Sequence, residues 1–260
     1  MKTCIAAALL LFGGACLAQL PAGDSARGPA AYPESEAAAA WRGLAASYVR
    51  RAIRDRTLDR DPALNARVDA VMAAVNAAVA AIDSRFGGGS WKVILIDDFG
   101  YGAAAFPGET ILMDAKFVRS LQLGDDELAL ILSHEVAHVV CGHASAKLSF
   151  MAEYLGKEKL PNAHTALLEF LAKDSYAAAY QPTARLQERE ADEVGAAILF
   201  ATGYDTRRAL AVFDKLIELE SRDDSQAPDS HDAANMRKQS VAGVIAELQR
   251  FHAGRGPAHK

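Results

Sequence analysis

Three residues in one short stretch, His134, Glu135 and His138, have the types and spacing to do chemistry together. On an α-helix, residues four apart share a face, so the imidazoles of His134 and His138 can reach a single ion. Glu135 lies about 100° around the axis from His134. Its carboxylate is therefore placed beside the ion, where it can hold a water that the ion polarises. His-Glu-x-x-His on a helix is a zinc-binding arrangement with a built-in general base. The bland alternative is a buried helix with two hydrogen-bonded histidines.

A catalytic zinc needs a third protein ligand and an open fourth position. The run Glu188-Arg189-Glu190-Ala191-Asp192 offers one. Glu188 and Asp192 again stand four apart on one helix face. A carboxylate at Glu188 can bind the ion, and Asp192 can accept the second ring N–H of a ligating histidine and fix its tautomer. Taken alone, the run also suits a solvated acidic helix face. His143 follows His138 at about 140° if the same helix continues, which makes it a poor ligand and a residue for a structural hydrogen bond. Cys141 reads as a small packing residue, and His164 as an isolated solvated or packed histidine.

These residues need elements to hold them. Asp125 is expected to cap the His134 helix, whose Leu128, Ile131, Leu132, Val136 and Val139 form an apolar stripe. Upstream, residues 34–60 read as a helix, and Asp61-Pro62 starts a second one with Leu64, Val68, Val71, Met72, Val75, Val79 and Ile82 at helical spacing, ended by Gly87-Gly88-Gly89. Residues 91–96 and 110–113 read as strands, with 103–106 as a third extended segment. They predict a small antiparallel sheet next to the His134 helix, with an edge that could pair with an extended peptide. Residues 145–185 read as helical with breaks at Gly156, Pro161 and Pro182.

The chain has 260 residues, 51% of them hydrophobic and 23% charged, enough for one large domain with a sizeable core. A net charge of −5 leaves no basic footprint for nucleic acid. Residues 1–18 combine a lysine, a short apolar run and a small-residue exit, the pattern of a secretory signal peptide cleaved after Ala18. The alternative is cleavage before Cys16 with a lipid on that cysteine, which Gly13 disfavours. Cleavage after Ala18 leaves Cys141 as the single cysteine, so no internal disulfide is expected. Residues 19–33 read as a linker, 34–252 as one domain and 253–260 as a flexible tail. No stretch after the signal peptide reads as a membrane span.

Taken together, the motifs resemble a zinc metalloprotease family that includes the CAAX prenyl proteases, HtpX and the mitochondrial Oma-type enzymes. The resemblance spans roughly residues 90–250 and rests on Phe106-Pro107-Gly108, Asp126-Glu127-Leu128-Ala129, Ser133-His134-Glu135-Val136-Ala137-His138, His143, Glu188 to Gly195, and Thr202-Gly203-Tyr204-Asp205. It implies an α+β, predominantly helical, zincin-like fold of the gluzincin type. It implies one Zn²⁺ per chain on His134, His138 and Glu188, with Glu188 favoured over Glu190, and Glu135 as general base. It further implies an exported endopeptidase of the periplasm, acting on unfolded or extended polypeptide in envelope quality control. Members of this branch often carry His-Pro with an arginine six residues after the histidine. Here Ser230-His231-Asp232 is followed by Arg237, so Asp232 replaces the proline. His231 and Arg237 are then candidates to stabilise the oxyanion, while a histidine here could instead approach the zinc and block it. The rival reading is a periplasmic, chaperone-like binding protein with a structural or self-blocked zinc site.

Overall fold

The computed structural model describes residues 30–82, 90–221 and 229–253, with side chains for all of these except 220, 221 and 229–233. The signal peptide expected over 1–18, most of the linker and Gly87-Gly88-Gly89 lie outside the described residues. Helix α1 (Glu34–Asp55) carries Glu34 and Glu36 in its first turn, where acidic side chains complement the exposed N–H groups. It ends before residue 60 because Arg56 turns left-handed, with φ 61°, and gives its N–H to the carbonyls of Ala52 and Ile53. Helix α2 (Pro62–Ile82) starts as expected: Asp61 accepts from the N–H groups of Ala63 and Leu64 at 2.9 and 3.2 Å.

By length and composition α2 could cross a membrane, contrary to the expectation that no such segment follows the signal peptide. Its apolar stripe, from Leu64 through Val68, Val71, Met72, Val75 and Val79, is instead buried in the core. Ala66, Ala70, Ala73 and Ala77 occupy the exposed positions. Alanine raises the hydropathy there without requiring burial.

Strands β1 (Lys92–Ile96), β2 (Ala103–Phe106) and β3 (Thr110–Asp114) form one sheet in the order β1-β3-β2. The hairpin β2–β3 is antiparallel, with Gly108 and Glu109 at positive φ in its turn. β1 pairs with β3 in parallel, so the wholly antiparallel sheet expected from the sequence is a mixed one. The tight turn dictates only the β2–β3 pairing. The longer connection after β1 lets the chain pass β3's position, lay down β2 on the far side, and return between them. Among the described residues β2 is a free edge.

Helix α3 (Ala115–Ser120) follows, capped by Asp114. Helix α4 (Asp125–Val140) carries the His-Glu-x-x-His stretch. Its N-cap is Gly124 rather than Asp125: Glu127 turns back to accept the Gly124 N–H at 2.6 Å, and Asp125, already in the first turn, pairs with Arg67. Gly142, at φ 71°, separates α4 from α5 (His143–Leu155). After a 3₁₀ turn at Lys157–Lys159 come α6 (Ala163–Ala172), α7 (Asp174–Thr202), α8 (Thr206–Ala209), α9 (Ala211–Ser221) and α10 (Asp229–Ala253). Helix α10 extends through Ala253, the first residue of the expected tail.

The expected break at Pro182 is absent, since α7 runs through it. Pro182 and Ala178 both lie on the exposed side of α7, so the carbonyl deprived of its N–H partner can turn to water. On the buried side, Tyr180 Oη donates to Gln187 Oε1 at 2.8 Å across the same turns.

Two cores flank the sheet. The main core joins α2, α4, the second half of α7, and α8 to α10 to Ile111 and Met113 of β3. The second joins α1, α5 and α6 to Leu112, Ile96 and Phe106 on the opposite face. A cleft opens where the two meet.

Candidate metal centre

Helices α4 and α7 cross at a close approach. A Cβ on Gly195 would lie 2.9 Å from the Cα and 3.0 Å from the N of His134, so only glycine allows this spacing. Glu188, Asp192 and Gly195 stand at i, i+4 and i+7, one stripe along α7. The contact at Gly195 thus brings both carboxylates against the histidines of α4.

His134 Nε2 and His138 Nε2 are 3.0 Å apart. Glu188 Oε2 lies 3.4 Å from the former, and Glu188 Oε1 lies 3.3 Å from the latter. Donor atoms placed about 2.0–2.1 Å from one tetrahedral zinc would be roughly 3.3–3.4 Å apart. The two imidazole nitrogens and the two Glu188 oxygens that meet them therefore lie at close to the spacing of donors around one such ion, and the donor set of two imidazoles and a carboxylate suits it. All three residues line the cleft, a space of about 500 Å³, together with Trp41, Ala105, Glu135 and Phe213.

The surroundings of these atoms are polar and mostly buried. His134 Nδ1 lies 3.0 Å from Asp192 Oδ1, at hydrogen-bonding distance though out of line with the ring N–H. Asp192 is buried and accepts from Arg237 Nε and Nη2 at 2.8 and 2.9 Å. Burial disfavours a charged His134, but Asp192 and Glu188 outweigh it and raise its pKa to about 9. Burial would raise Glu188, yet the two imidazoles hold its carboxyl far below the usual carboxylate range. Asp192 is lowered in the same way, against burial, by His134 and Arg237.

Glu135 points to the sheet. Its Oε2 accepts the backbone N–H of Ala105 at 2.9 Å. That N–H belongs to the outward-facing set of β2, because Ala104 and Phe106 carry the ladder to β3 (Gly102 C=O already accepts from Asp114). The general-base candidate and the free strand edge are thus adjacent walls of one cleft. Lys147 lines the cleft as well, 5.9 Å from the centre of the Trp41 ring, and burial lowers its pKa against the opposing pull of Glu188 and Glu135.

The structure brings together His134, Glu135, His138, Glu188 and Asp192. Arg237 lines the cleft too, but two of its nitrogens are directed to Asp192, with Nη2 also 3.4 Å from Glu188 Oε2. That geometry makes it a clamp on a carboxylate rather than a free oxyanion donor. His231 falls in the first turn of α10, and its side chain lies outside the described residues.

Sequence reasoning passed over the close approach at Gly195 and the Ala105 N–H; it gave His143 a structural hydrogen bond, which the structure shows, without finding its partners His138 and Glu190. His143 Nδ1 is 2.8 Å from His138 Nδ1, and His143 Nε2 is 3.2 Å from Glu190 Oε2. The available signal was Gly142, a helix-stop residue that ends the 100° arithmetic before it reaches His143. His164 and Cys141 stay outside the metal triangle; Cys141 is buried and not in a disulfide.

Comparison with known proteins places the chain in a family. The family described as peptidase family M48 matches residues 62–251. The mitochondrial metalloendopeptidase OMA1 of Arabidopsis thaliana is 28% identical over 148 residues, covering 54% of this chain. The chain spans only 28% of that relative's length.

Proposed function

The chain belongs to peptidase family M48, and from that premise we propose that it is a zinc-dependent endopeptidase that cuts unfolded or extended polypeptide. The observation that carries this reading is the cluster of His134 Nε2 and His138 Nε2, 3.0 Å apart, with the two Glu188 oxygens 3.4 and 3.3 Å from them, lining a cleft that Glu135 and the β2 edge share. A zinc ion held there supplies a Lewis acid for the scissile carbonyl and makes water easier to deprotonate.

The chain's own residues do the rest. The outward N–H and C=O groups of Ala103 and Ala105 on β2 can pair with the backbone of an extended substrate, which favours unfolded segments over folded surfaces. Substrate pairing draws the Ala105 N–H away from Glu135 and frees the carboxylate. Glu135 then takes a proton from the attacking water and delivers it to the leaving amine. Asp192, itself fixed by Arg237, holds the His134 ring in its ligating tautomer. By the family resemblance, His231, six residues before Arg237, is proposed as the oxyanion donor, the alternative being a histidine that approaches the zinc and blocks it. Export through residues 1–18 would place the activity in the periplasm, with misfolded envelope proteins as substrates.

The test uses one purified sample of the protein. Elemental analysis should find one zinc per chain, and denatured casein should be cut by wild type and not after chelation. Absence of bound metal together with absence of cleavage would overturn the reading. Bound metal without cleavage would favour the chaperone-like alternative.

A further inference from the structure

We infer that Glu190 and His143 form a proton-ordered relay that fixes His138 as a metal ligand through Nε2. The inference rests on the metal-site reading above and adds a second support to it, on the side opposite Asp192. Gly142 ends α4 and restarts the chain as α5, so His143 folds back beneath His138. The contact between their Nδ1 atoms is 2.8 Å, and His143 is 3% exposed. Glu190 comes from α7, two residues after Glu188 and therefore about 200° around that helix. The two glutamates diverge: Glu188 meets both Nε2 atoms of the triangle, and Glu190 meets His143 Nε2 at 3.2 Å.

The protons can be placed by elimination. If His138 Nε2 binds the ion, its Nδ1 must carry the hydrogen. His143 Nδ1 must then accept, which leaves the His143 hydrogen on Nε2, directed at the Glu190 carboxylate. Along the path from His138 Nδ1 to Glu190, each contact then joins one donor to one acceptor. Only this order satisfies the whole chain. Reversing it would put a hydrogen on His138 Nε2, where the ion must sit. The Glu190 charge polarises both imidazoles in the same sense and makes His138 a stronger donor to the metal. Glu190 and His143 are thus positioning residues. Cys141, His143 and Glu190 also stand close enough to suggest a separate metal site. Both ring nitrogens of His143 are already committed in the relay, so we assign the group to hydrogen bonding.

The experiment titrates Zn²⁺ into metal-stripped protein against a chromophoric chelator, and records the visible spectrum of the Co²⁺ form. Glu190→Ala should weaken Zn²⁺ binding by about 10–100-fold and alter the Co²⁺ d–d bands, while the stripped protein keeps a cooperative unfolding transition. Glu190→Asp should recover part of the affinity. Unchanged affinity and spectrum in Glu190→Ala would overturn the relay, as would two metals per wild-type chain falling to one in the variant. If Glu190→Ala does not fold, Glu190→Gln replaces it, and an affinity equal to wild type would count against the charged acceptor. A wild-type protein that binds no metal defeats the metal-site reading itself, a result distinct from failure of the relay.

Discussion

The two imidazoles that face each other at the metal triangle are held from behind by different means. Behind His134 stands an ion pair, Asp192 with Arg237, drawn from α7 and α10. Behind His138 stands His143 with Glu190, drawn from α5 and α7. The first arm places a buried carboxylate directly against the ring and neutralises it with a bidentate guanidinium. The second keeps its carboxylate one imidazole away. Helix α7 serves both, with Asp192 on one flank and Glu190 on the other. A direct charged contact should be the stronger hold and the more costly to lose, because truncating one partner strands a buried charge.

Changes at the site separate the arms from the chemistry they support. The largest effect is expected from Glu135→Gln, which touches neither arm. The amide cannot accept the proton, so kcat on denatured casein should fall by about 10²–10⁴ while zinc content stays at one per chain. Normal turnover in that variant would remove Glu135 from its assigned role.

Gly195→Ala attacks the crossing that both arms depend on. Its Cβ would meet the His134 backbone at 2.9 Å, and a backbone cannot swing aside as a side chain does. Denaturant unfolding should show a loss of about 1–3 kcal/mol, the usual cost of overpacking. Equal midpoints for the two proteins would mean that α4 and α7 are less tightly apposed than the structure has them.

Asp192→Asn breaks the direct arm. Zinc affinity should drop by about 10–100-fold, at least as far as for the loss of Glu190. The reverse order, read from chelator competition, would invert the ranking of the two arms. Arg237→Lys is the mildest change. A single ammonium replaces the fork on Asp192, and affinity should fall less than about tenfold, between wild type and Asp192→Asn. A drop as deep as that of Asp192→Asn would show that the fork, rather than the carboxylate, is what holds His134.

The amino-acid sequence by itself determined the parts of the site that a single helix can express. His134 and His138, and separately Glu188 and Asp192, face one way because four residues make about one turn. Asp61-Pro62 starts α2 for equally local reasons. The antiparallel β2–β3 hairpin follows from its tight turn. The tertiary structure decided whatever depended on how elements cross. It brought the two helical pairs to within 3.0–3.4 Å of each other, through the space left by Gly195. It turned Arg237 onto Asp192, made β1 parallel to β3, and carried α7 through Pro182 on its solvent side. It also made His143 a partner of His138, although helical arithmetic places the two on different faces. The physical reason is the same throughout. Helical periodicity is a property of the backbone and extends only as far as the helix, so it ends at Gly142, while the distance between two helices is set by which side chains are small enough to let them meet.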